Sequence, residues 1–138
     1  MSNSFNEGSK AGRVPDASGV VDLVMTPGGF SVRSARKIDA AISMLSRLQD
    51  VQLIHTRDHN SREVQLIEEQ LNALDVLVQF TGDKTEPVGL RGDVDFVALH
   101  AVYVADREMQ EKGFLAGDPR ALGRLKALAW LFGDEEGF

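Results

Sequence analysis

Apolar residues recur at helical spacing from Ser34 to Gly133, and the pattern breaks at Asn60-Ser61, across 81–92 and at Gly117-Asp118-Pro119. Ahead of it, Gly19-Val-Val-Asp-Leu-Val-Met25 is β-branched and partly alternating, which predicts a short strand ended by Thr26-Pro27-Gly28-Gly29. Ser31 or Ser34 can cap a first helix to about Gln49, with Ile38, Ala41, Ile42, Leu45 and Leu48 on one stripe. Val51, Leu53 and Ile54 leave that stripe, so residues 51–55 read as a second short strand, paired with the first.

Asn60 or Ser61 caps a second helix to about Phe80, centred on Val64, Ile67, Leu71, Leu74 and Val78. Residues 81–92 have loop composition. Asp93 caps a third helix over 94–112 whose first turns are apolar nearly all round, the mark of a central helix or of one covered by a second subunit. The stretch 94–105 is also β-branched enough for a buried strand, and its alanines favour the helix. Asp118-Pro119 starts a last helix to about Phe132, with Ala121, Leu122, Leu125, Leu128, Ala129 and Phe132 inward. There is no internal repeat, and no heptad run is long enough for a coiled coil.

These elements predict a mainly α chain, a compact bundle of about four helices with one or two short β-strands in its N-terminal half. Residues 1–18 read as a flexible leader, 19–133 as a single helical domain and 134–138 as an acidic tail.

Composition narrows the functional classes. A chain of 138 residues suits one domain, and a net charge of −6 disfavours bulk attraction to nucleic acid. With no cysteine, disulfide scaffolds and thiolate metal sites are excluded. The N-terminus lacks the apolar core of a signal peptide, and no apolar run has the length of a membrane span, so a cytoplasmic location without membrane contact is expected. Small acidic helical chains of this kind are compatible with a phage or plasmid origin.

Candidate chemistry is sparse. No glycine-rich phosphate loop and no nucleophile–base pair can be read, so neither an enzyme nor a cofactor is expected. His55 and His59 flank Asp58, but they fall at a helix break with Arg57 between them, and no metal is expected there. His100, on the flank of the third helix that also carries Arg107, reads as a partly buried histidine.

Two surfaces stand out. Arg33, Arg36, Lys37 and Arg47 fall on the polar side of the first helix, a modest nucleic-acid-binding stripe in an otherwise acidic chain. Trp130 and Leu131 lie off the core stripe of the last helix, near Arg120, Arg124 and Phe138, and tryptophan and arginine dominate binding hot spots. Trp130 reads equally as a partner contact or as a side chain covered within the monomer by a flanking element such as the 81–92 loop. The leading expectation is therefore a non-enzymatic protein-interaction module (adaptor, inhibitor or assembly subunit), self-associating through its third or last helix. A nucleic-acid-binding regulator using the first helix is the alternative.

Overall fold

The computed structural model describes residues 14–15, 21–83 and 86–136. The chain is mostly helical, with strands β1 (Val14–Pro15), β2 (Val21–Met25), β3 (Ser31–Arg33), β4 (Val78–Phe80) and β5 (Pro87–Leu90), and helices α1 (Ala35–Thr56), α2 (Arg62–Asp75), α3 (Phe96–Glu111) and α4 (Pro119–Leu131). One antiparallel sheet has the order β1-β2-β3, and β4 and β5 form a separate hairpin. Among the described residues no helix is long and apolar enough to cross a membrane.

The helix starts follow local chemistry. Ser34, Ser61 and Asp118 cap α1, α2 and α4, accepting from the backbone N–H groups of Lys37, Val64 and Ala121. The third cap is Asp95, which accepts from the N–H of Ala98 at 3.1 Å, and not Asp93, which is committed to an ion pair with Arg91.

The sheets depart further from the sequence pattern. Residues 51–55 are not a strand: α1 runs 22 residues, to a left-handed cap at Arg57 (φ 55°). The phase break at Asp50 assumed that apolar residues point inward, whereas Val51 and Ile54 are 59% and 76% exposed. The partner of β2 is β3, joined to it through the Thr26–Phe30 turn, where Gly28 and Gly29 adopt positive φ. Two residues of the expected leader, Val14–Pro15, pair with β2 as β1.

Likewise α2 stops at Asp75, because Val78–Phe80 are taken up by antiparallel pairing with Pro87–Leu90, inside the segment expected to be a loop. Val78 and Phe80 turn inward while Gln79 stays exposed, the alternation of a strand.

The core gathers around the second half of α4. Gly123, Ala127, Leu128, Ala129, Trp130 and Leu131 are all buried, and α4 packs against α2, α3 and β3. The expectation that Trp130 and Leu131 are surplus to the core is overturned, with exposures of 7% and 0%. A helix enclosed on several sides has no outward stripe, so its wheel angle says nothing about access. The central helix is thus α4, not α3, where only Phe96, Tyr103 and Asp106 are buried.

Gly123 sets the closeness of the α2–α4 crossing. A Cβ there would overlap the carbonyl oxygen of Leu66 and sit 3.2 Å from Cβ of Glu69.

Candidate interaction surface

The inner side of α3 is held by specific contacts. Tyr103 stacks on Phe132 with ring centroids 5.7 Å apart, and His100 stacks on Phe30 at 4.5 Å and meets the Phe132 edge at 4.8 Å. One turn on, Asp106 receives two hydrogen bonds from Arg124, Nε to Oδ2 at 2.7 Å and Nη2 to Oδ1 at 2.8 Å. The Tyr103 hydroxyl donates to Asp134 and accepts from Arg107 at 3.3 Å. Burial first, then the Asp134 carboxylate, pushes the Tyr103 phenol above its ordinary range. These contacts tie α3 to the Thr26–Phe30 turn, to α4 and to Asp134, the first residue of the expected acidic tail.

With its inner side fixed, α3 presents the opposite side outward. Asp95, Ala98, Val102, Ala105, Met109 and Lys112 are all exposed, Val102 at 37% and Met109 at 41%. They follow one another at intervals of three and four residues, which places them on one line along the helix. No charged side chain occurs from Phe96 to Ala105, so the middle of this face carries no polar rim of its own. Beside it lies an open depression of about 510 Å³, walled by Val76, Leu77, Val94, Ala98, Leu99 and Val102 and bordered by the Arg91–Asp93 ion pair. That pair holds the Asp93 carboxyl below its ordinary range and Arg91 above its own.

The C-terminal residues expected to meet a partner are used within the chain. Arg120 bridges to Glu68 at 2.8 Å and to Glu69 at 3.4 Å on α2, and Arg124 holds Asp106 on α3. Trp130 is covered by Arg33, whose guanidinium lies 5.2 Å from the indole centroid. Phe138 lies outside the described residues.

The expected basic stripe divides in the same way. Arg33 belongs to β3 and is 5% exposed, so it leaves the stripe. Arg36 and Arg47 are exposed on α1 and Lys37 is half-buried beside them. His55 closes α1 and His59 follows in the turn, both exposed, and among the described residues no three His, Cys, Asp or Glu side chains gather as a metal site would require.

Sequence reasoning named the third helix for self-association but did not single out which of its sides is free. The three-four spacing was present, but a helix apolar all round does not say which side the fold will cover. A second apolar row, Met44, Leu48, Val51 and Ile54, is exposed on α1, with Arg47 and Asp50 between its members. Set against the models of known families, against curated proteins and against solved structures, the chain has no match.

Proposed function

We propose that this chain is a non-enzymatic protein-interaction module, an adaptor, inhibitor or assembly subunit, that acts through exposed helix surface and chiefly through α3. The observation that carries this reading is the outer face of α3, whose middle (Ala98, Val102, Ala105 and Met109) is uncharged, set beside an apolar depression. Contiguous apolar surface of this kind is costly to leave in water and marks sites of association. The polar groups at the border of the depression are the Arg91–Asp93 ion pair and the helix cap Asp95, all tied to neighbours within the chain, which suits contact better than catalysis.

The nucleic-acid alternative is weaker by one cation, because Arg33 serves the core. A photoreactive phenylalanine analogue placed at Ala105 tests the reading in cells. Discrete covalent protein adducts are expected there, and none from the same probe at exposed Lys126 on α4. If position 105 captures no more than position 126, α3 is not a binding surface and the reading is wrong.

A further inference from the structure

We infer that α3 pairs with α3 of a second copy of this chain, antiparallel, along the line Asp95, Ala98, Val102, Ala105, Met109 and Lys112. The inference rests on the reading of α3 as the binding surface and adds to it the partner.

The spacing of these six positions, 3-4-3-4-3, is that of the two inward positions of a heptad, and all six are exposed. Two such helices laid antiparallel, with the two-fold axis midway between Val102 and Ala105, stack in layers of unlike residues. Val102 meets Ala105 of the second copy, Ala98 meets its Met109, and Asp95 meets its Lys112. Each layer occurs twice, as a two-fold interface demands.

Every layer is complementary. Large faces small in the middle, and the two alanines allow the helix axes to approach toward the short end of the usual ~8–10 Å. The side chain of Met109, long and adaptable, arrives over Ala98, which is itself part of the wall of the 510 Å³ depression with Val94, Leu99 and Val102. Each copy supplies one such methionine to the other. At the ends, carboxylate faces ammonium, and antiparallel helix dipoles add a favourable term.

A parallel pair reverses this arrangement. It sets Asp95 against Asp95 and Lys112 against Lys112, and it wastes the depression by placing Met109 against Met109. The exposed row on α1 is a poorer candidate for self-pairing, because Arg47 and Asp50 interrupt it.

The chain contains no cysteine, so single-cysteine variants report geometry cleanly. In the antiparallel pair Ala98 of one copy lies about 16 Å from Ala98 of the other, at ~1.5 Å per residue, beyond disulfide reach. Ala98→Cys alone and Met109→Cys alone therefore stay uncrosslinked under mild oxidation, and an equimolar mixture of the two forms a disulfide heterodimer. Sedimentation velocity of the unmodified protein is expected to show a concentration-dependent dimer. Ala98→Asp weakens it at least tenfold, with an unchanged melting temperature at dilutions where both proteins are monomeric, and Val51→Asp on α1 leaves it intact.

Three results overturn the inference. One is a disulfide homodimer of Ala98→Cys, which indicates parallel pairing, and another is a dimer lost in Val51→Asp but kept in Ala98→Asp. The third is a monomer at every concentration with no crosslinking of the mixture. If adducts to other proteins still form at position 105 in that third case, self-pairing fails while the reading of α3 as a binding surface stands.

Discussion

Arg33 lies beneath Trp130, its guanidinium 5.2 Å from the indole centroid, and its Nε donates to the Trp130 carbonyl at 2.9 Å. The same side chain reaches past the end of α4, where Nη2 donates to the carbonyl of Glu135 at 2.8 Å. The last carbonyls of a helix lack partners within it, and a cation is favoured there by the helix dipole. One arginine from β3 thus caps the end of α4, covers its tryptophan and tethers the first residues beyond it.

Removing either member should cost folding stability without touching association. Arg33→Ala should lower stability by about 2–3 kcal/mol, because carbonyls at the end of α4 lose their charged donor. Arg33→Lys should recover less than half, since an ammonium cannot lie flat over the indole while reaching both carbonyls. Trp130→Ala should cost roughly 3–5 kcal/mol, the usual penalty for emptying a core site. Denaturant unfolding of the three variants, with sedimentation alongside, checks this. A Trp130→Ala protein of unchanged stability but impaired association would restore the tryptophan to an interface.

Gly123→Ala should destabilise the protein, although alanine is worth about 1 kcal/mol over glycine in an exposed helix. The added Cβ would collide with the Leu66 backbone of α2, which cannot move aside as a flexible side chain can. The cost is expected in the range of about 1–3 kcal/mol typical of overpacked contacts. A raised melting temperature would mean that the two helices cross more loosely than described.

Tyr103 predicts an alkaline limit to stability. Burial and the Asp134 carboxylate raise its phenol above the ordinary value, so the folded state holds a proton that the unfolded chain releases at about pH 10. Its contribution is therefore complete below about pH 10 and is lost as pH rises through the folded value. Tyr103 is the only tyrosine, so phenolate absorbance reports one group. Its midpoint should lie above that of the urea-unfolded protein, and a midpoint at or below it would contradict the Asp134 contact.

Where helices begin could be read from single residues, because a cap acts on backbone N–H groups only two or three positions away. Ser34, Ser61 and Asp118-Pro119 are of this kind. The hydrophobic stripes of α1 and α2 were legible for a related reason, except that Leu48, expected on the α1 stripe, is 43% exposed. Ile38, Ala41 and Leu45, and likewise Val64, Ile67 and Leu74, are buried at helical spacing in helices that keep one side in water.

What the order of residues could not decide was which apolar side the fold would cover. Val51 and Ile54 broke the stripe of α1 only because they point outward, and α2 gave up Val78–Phe80 to a strand pairing set by Pro87–Leu90. Trp130 was drawn into the core by Arg33, which lies 97 positions away in the chain. The candidate face on α3 has the same origin. Ala98, Val102, Ala105 and Met109 are as apolar as the residues on its inner side, and they stay exposed because Tyr103 and Asp106 found their partners on α4 and at Asp134. Caps depend on neighbours along the chain, whereas access to a helix face depends on which distant segment packs against it, and that is settled only when the tertiary contacts form.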